Sequence, residues 1–256
     1  MCFFKLIAHF LTKKPKLNEL KKVVFVGPHP DDIEIAAGGT VAKLKELGVE
    51  IHFIIVTDGC LGTDNDTISE EWLAKTREIE ATESAKILGA QSVSFLSFSD
   101  GGLYSQEDLN IELYKKIMEI SPDLIWGPDP SLKNEFHPDH IKTGKAIEFY
   151  AINSGNILLA KRYGLSTNKN LKGIAYYFTS KPNFFITTRK RHIAKQLTAL
   201  KMHESQVKQK IDKYDNMKLL SLVIKISSKK NGFKRCRFNS EAFRYVHPLE
   251  WHCFTF

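Results

Sequence analysis

Apolar residues are distributed along this chain in short runs separated by longer, helically spaced stretches. Val23-Val24-Phe25-Val26 is a run of β-branched and aromatic residues closed by Gly27-Pro28, and it reads as a buried strand. Gly38-Gly39-Thr40 opens a predicted helix with Val41, Leu44 and Leu47 on one face, closed at Gly48. A second strand is predicted over 50–56, and a long helix over about 70–88, stopped by Gly89. A strand over 93–96, a helix over 109–120 ending before Pro122 and a strand over 124–127 follow. Pro138 suits the first turn of the next helix, which continues through Ile141, Ala146 and Ile147.

Beyond residue 156 the pattern loosens. Strands are predicted over 174–179 and 184–187, and a helix over 189–203 with Ile193, Leu197 and Leu200 on one face. Further strands are predicted over 219–226 and 243–246, separated by a basic loop over 227–237. Regular alternation of strand and helix predicts a Rossmann-like, doubly wound α/β fold: a mostly parallel sheet with helices on both faces and an elaborated C-terminal part. With no internal repeat and no low-complexity linker, residues 23–256 read as one domain preceded by an extension, 1–22.

The chemistry stands where strands end. His29-Pro30-Asp31-Asp32 follows the first strand, and Phe136-His137-Pro138-Asp139-His140 follows the fourth. Titratable groups at the ends of buried strands need partners, and a metal ion is the simplest one. His29, Asp32 and His140 together supply three N and O donors with a fourth position left open, the pattern of a catalytic zinc site. Asp31 is then free to handle protons. The competing reading of the first motif makes the Asp pair a cap for the next helix. In a sheet of order 3-2-1-4 the first and fourth strands are neighbours, at the switch point where such folds bind ligands.

The totals fit a globular protein, with 43% hydrophobic and 26% charged residues. Cys2, Cys60, Cys236 and Cys253 form no CxxC pair, which argues against a disulfide framework or a thiolate zinc site and fits a reducing, cytoplasmic setting. The net charge of +8 is uneven. Residues 1–22 carry six Lys against one Glu, 23–180 have a net charge of −9, and 181–238 hold sixteen basic and three acidic residues. No nucleic-acid motif accompanies the basic excess, so a nucleic-acid partner is not expected. The apolar-basic N-terminal segment lacks a cleavage signature. It suits either a peripheral position at the inner face of a membrane or a short helix on the domain's flank.

Taken together, the motifs resemble the PIG-L-type (LmbE-like) zinc-dependent N-acetylglucosamine deacetylases over about residues 23–206, with a weaker echo at 241–244. Besides the two His motifs, the resemblance rests on Gly38-Gly39-Thr40, Thr57-Asp58-Gly59, Arg77 with Glu80, Asp100-Gly101 and His203-Glu204-Ser205-Gln206. It implies one Zn²⁺ per chain on His29, Asp32 and His140, with Asp31 as general base, and the residues read alone give the same roles. His137, if protonated, is placed to stabilise an oxyanion and to protonate a departing amine. Asp139 orients an imidazole or serves the first turn of its helix. Arg77 and Asp100 match positions that bind sugar hydroxyls or phosphate. The expected reaction is hydrolysis of the acetamide of an N-acetylglucosamine-type sugar or conjugate, small, anionic or lipid-linked. Two other readings keep parts of this picture: a zinc hydrolase for another bond, and a non-catalytic module that binds anionic surfaces. No HExxH helix supports a zincin protease.

Overall fold

The structure is a computed structural model and describes residues 12–211, 214–233 and 238–251. The apolar part of the N-terminal segment, residues 1–11, lies outside the described residues, as do Cys2, Cys236 and Cys253. In chain order the elements are β1 (Lys22–Gly27), α1 (Asp32–Glu46), β2 (Glu50–Thr57), α2 (Glu70–Leu88), β3 (Ser92–Phe98), α3 (Gln106–Ile120), β4 (Leu124–Pro128) and α4 (Pro138–Asn153). Then come α5 (Ile157–Arg162), β5 (Ile174–Tyr177), β6 (Phe184–Thr187), α6 (Lys190–Leu200), α7 (Glu204–Val207), β7 (Lys210–Ile211), β8 (Tyr214–Asp215), α8 (Asn216–Phe233) and β9 (Ser240–Val246).

Seven strands make one sheet in the order β3-β2-β1-β4-β5-β9-β6, while β7 and β8 form a separate small pair. β1 pairs in parallel with both β2 and β4, so the predicted switch point lies between β1 and β4. Within the seven-stranded sheet only β9 runs antiparallel, between β5 and β6. Strand periodicity explains why β1 is apolar throughout: Val23 and Phe25 enter one core with Val41, Leu44 and Trp126, whereas Val24 and Val26 enter the other with Leu113, Ile125 and Tyr150. Phe25 stacks on Trp126 at 4.7 Å, holding the two motif-bearing strands together. Among the described residues no helix is long and apolar enough to cross a membrane.

Two expectations are corrected. Residues 219–226 are not a strand, and 227–233 are not a loop; both belong to α8. A continuous apolar run of that length carries no periodicity that separates helix from strand. The other correction concerns α1, which starts at Asp32 rather than near Gly38. Gly38 and Gly39 lie in mid-helix and serve as a notch. A Cβ on Gly38 would lie 2.6 Å from the Gln196 side chain, and one on Gly39 would lie 2.9 Å from Glu241 Oε1. Through that notch the Gln196 amide donates to the carbonyls of Glu34 and Ile35 at 2.8 and 3.3 Å. Glu241 accepts from the N–H groups of Gly39 and Thr40 at 2.9 and 2.6 Å. Two distant segments thus grip the helix that carries Asp32.

Burial pushes the Glu241 carboxyl up to about 7, against the N–H groups that favour its charge. A carboxyl raised on folding stabilises the fold fully below its unfolded pKa, and that contribution fades as pH rises through the folded value. The native protein is therefore expected to lose stability on the order of 3 kcal/mol between about pH 4.5 and above pH 7 relative to Glu241→Gln. Urea unfolding of both proteins across that range checks it. Parallel pH profiles would remove Glu241 as the source.

Candidate active site

The turn after β1 packs its polar groups tightly. Asp32 opens α1, and its Oδ2 folds back to accept the His29 backbone N–H at 3.0 Å and lies 3.2 Å from His29 Nδ1. Asp31 occupies the N-cap position, yet its side chain makes no capping bond. The helix-cap reading of the Asp pair therefore fails: one carboxylate faces His29 and the other faces a cavity. Asp31 also has φ of 142°, a conformation that side chains rarely adopt.

His140 arrives from the first turn of α4, with Nε2 3.5 Å from Asp32 Oδ2. The donor atoms of His29, Asp32 and His140 lie within 4.8 Å of one another. Tetrahedral zinc with bonds near 2.0–2.1 Å requires donors separated by roughly 3.3 Å, close to the two separations found here. The residues fit a metal ion in donor type, number and spacing.

Around this trio lies a ring of carboxylates. His29 Nε2 is 3.2 Å from both Asp139 Oδ2 and Asp100 Oδ1, so a proton held there leaves the Nδ1 lone pair facing Asp32 and His140. Burial opposes charge on His29, yet hydrogen bonds to Asp100, Asp139 and Asp32 push its pKa up to about 12. Burial likewise opposes ionisation of Asp32, but His140 and His29 hold it well below the ordinary carboxylate range. Such a cage favours a cation at its centre. A second donor group, His29, Asp100, His137 and Asp139, shares only His29 with the first. Its carboxylates already accept backbone N–H groups, Asp100 from Leu61 and Asp139 from Gly101, which suits them to orienting His29.

Glu135, not anticipated from the sequence, faces His140 as an ion-pair partner. Its Oε2 lies 3.2 Å from His140 Nδ1, and the Phe178 ring stacks on the imidazole at 5.7 Å. Tyr104, also not anticipated, is buried near Asp139, and burial first, then that carboxylate, raises its phenol pKa. A carboxylate two residues before His137 was a readable signal; the Tyr104 contact depends on how the loop after β3 folds.

Arg77 is buried on α2 and spans two loops. Its Nη1 donates to Gly59 O and its Nη2 to Pro30 O, both at 2.9 Å, with Asp31 Oδ2 3.4 Å away. Those bonds tie Arg77 to the Asp31 turn, and the same side chain lines the cavity. The Thr57-Asp58-Gly59 motif serves the same support. Thr57 Oγ1 donates to Pro28 O, Asp58 Oδ1 accepts from Cys60 and Asp100 N–H groups, and Gly59, at φ of 66°, leaves room for the guanidinium. Asp100 lines the cavity while holding His29. Cys60 is buried and its thiol is pushed up to about 11 by burial, so it is an inert spectator.

His29, Asp31, Arg77, Asp100 and His137 converge on a cavity of about 310 Å³. His137 is the exposed member of the set, and burial together with the His29 and His140 rings holds its pKa below the ordinary value. That shift favours the neutral ring. A larger cleft of about 560 Å³ beside Tyr176 and Trp251 contains Arg244, but that guanidinium is paired with Asp129 at 2.8 Å. His203, conspicuous in its motif, is fully buried with Nε2 3.6 Å from Glu34 Oε1. Its neighbours Ser205 and Gln206 bind Glu80 and Gly62 O, tying α7 to α2 and to the cavity wall.

A carboxylate paired with Arg77 thus lies beside a two-imidazole, one-carboxylate group that could hold a metal ion, at the switch point of a doubly wound sheet. The chain belongs to the family described as PIG-L, GlcNAc-PI de-N-acetylase, whose model matches residues 24–151. A diacetylchitobiose deacetylase from Thermococcus kodakarensis is 35% identical over 195 residues, covering 74% of this chain and 71% of the relative. The solved N,N'-diacetylchitobiose deacetylase from Pyrococcus horikoshii, complexed with an inhibitor, is 31% identical with a TM-score of 0.87, covering 100% of this chain and 95% of that one. A 4-carboxy-2-hydroxymuconate hydratase from Pseudomonas putida also matches, at 18% identity and a TM-score of 0.73, over 89% of this chain and 97% of that one. At that identity only the fold is shared, and function has to be argued from the site.

Proposed function

We propose that this protein is a zinc-dependent N-deacetylase that hydrolyses the acetamide of an N-acetylglucosamine-type sugar, releasing acetate and the free amine. The observation that carries this reading is Asp31 lining the cavity, paired with Arg77, beside the His29, Asp32 and His140 donors and outside their set. Relatives in the same family named for deacetylation of diacetylchitobiose support the substrate class.

One Zn²⁺ would be held by His29, Asp32 and His140, supplying Lewis-acid polarisation of the amide carbonyl and a more acidic attacking water. Asp31 takes the proton of that water as attack on the carbonyl proceeds. Arg77 holds the turn so that the Asp31 carboxylate stays aimed into the cavity. His137, neutral at rest and exposed at the mouth, gains its charge when it takes up a proton, and can then pass it to the departing amine. Asp100 and Asp139 keep His29 oriented throughout. The cavity lies at the small end of ligand sites, so it accommodates one acetamido sugar ring and leaves the rest of a conjugate at the mouth.

Acetate release from N-acetylglucosamine, N,N'-diacetylchitobiose and inositol- or malate-linked N-acetylglucosamine tests the reading with zinc-loaded protein. Release from at least one of these, abolished by a chelator and restored by zinc, is the expected result. Acetate release from none of them, by protein shown to contain zinc, would reject the proposal.

A further inference from the structure

Helix α8 presents two apolar faces, and among the described residues only one packs against the rest of the fold. Ile224 is buried, and with Met217 and Leu220 it packs against Ile193, Leu200 and Val207. On the other side Leu219, Leu222, Val223 and Ile226 are 38%, 54%, 50% and 55% exposed, and Phe233 is 85% exposed. Positions spaced i, i+3, i+4 and i+7 form a continuous stripe along a helix, so these side chains make one apolar strip facing solvent. An isolated exposed leucine needs no explanation, but a two-turn strip does.

The charge around the strip is of one sign. Residues 216–233 contain Lys218, Lys225, Lys229 and Lys230 and no Asp or Glu. Lys218 pairs with Asp215 at 3.4 Å. Among the described residues no carboxylate pairs with Lys225, Lys229 or Lys230. At 100° per residue Lys218, Lys225 and Lys229 lie along one border of the strip, and Lys230 falls within it, between Ile226 and Phe233.

We propose that α8 is a docking helix for an anionic lipid bilayer. Its apolar strip would lie in the interface while the lysine stems run along it and carry their ammonium groups to the headgroups. The absence of carboxylates selects this occupant over a second copy of the chain. An antiparallel symmetric contact through the strip would set one lysine border against another with nothing to neutralise them, whereas an anionic bilayer matches both the apolar strip and the lysines. The helix is also joined to the cavity wall: Asn216 Nδ2 donates to Gln206 O at 3.0 Å, and Gln206 Nε2 donates to Gly62 O at 3.1 Å. A bilayer bound along α8 would therefore lie close to the loop that frames the mouth. The inference stands on α8 itself and does not depend on the reaction proposed above.

Sedimentation of the full chain with phosphatidylglycerol-containing vesicles and with pure phosphatidylcholine vesicles tests it. Binding is expected with the anionic vesicles at low salt, weakened by high salt, and weak or absent with phosphatidylcholine. The double substitution Leu222→Glu with Ile226→Glu should weaken binding by at least about tenfold, and Lys225→Gln with Lys229→Gln should weaken it without touching the strip. Unchanged thermal unfolding of the variants shows that the fold is retained. Three outcomes would overturn the proposal: no sedimentation with anionic vesicles, equal binding by the Leu222/Ile226 variant, or a solution dimer that this variant dissociates.

Discussion

Purified His140→Ala protein is expected to contain little or no zinc where the native protein should carry one ion per chain. Three donor atoms define the site, and the two left after the substitution, His29 Nδ1 and Asp32 Oδ2, cannot complete a structural or catalytic coordination set. Affinity should fall by more than about 100-fold, a larger effect than loss of an orienting residue produces. His29→Ala and Asp32→Ala should behave the same way. The fold should survive metal removal, because the empty cage has its own counter-charge: Asp32, Asp100 and Asp139 surround a His29 ring whose pKa is raised to about 12. Zinc must then displace a proton from His29, so binding should release protons and weaken as pH is lowered. Elemental analysis of the variants, and proton release on titrating zinc into apoprotein, measure both effects. Full zinc content in His140→Ala would eliminate this ligand set.

The parts of the molecule that could be read in advance share a physical origin. Strand β1, its Gly-Pro exit and the two His-Pro-Asp motifs are local signals, and the β1–β4 adjacency follows from topology once four alternating units are recognised. Helix α2 was legible to its ends because Ser69 caps it through Trp72 N–H and Gly89 closes it in the left-handed conformation. Long-range groups were not legible. Glu241 and Gln196 meet α1 from more than 150 residues away, and only folding shows that Gly38-Gly39 is a notch for them. Arg77 illustrates the same limit: its position was identified, but not that two backbone carbonyls and Asp31 would occupy its fork. Helix α8 was misread as a strand because burial on one side and an exposed apolar strip on the other erase the amphipathic period.

Asp31→Asn should keep its zinc and its fold while losing turnover by a factor on the order of 10² or more. The amide nearly matches the carboxylate in shape, and Asp31 is not one of the three donors, so metal content should match the native protein. The backbone there sits at φ of 142°, held by the Ile35 N–H bond to Asp31 O and by Arg77 on Pro30 O, neither of which involves the substituted atoms. The change therefore removes proton acceptance and the 3.4 Å Arg77 contact while leaving the turn in place. Because the base acts in the transition state more than in the bound ground state, kcat and kcat/KM should fall together with KM little altered. A rise in KM with unchanged kcat would instead make Asp31 a substrate-binding group. Near-normal turnover with zinc retained would assign the proton transfer elsewhere, and His137, the exposed imidazole across the same cavity, would be the residue to substitute next.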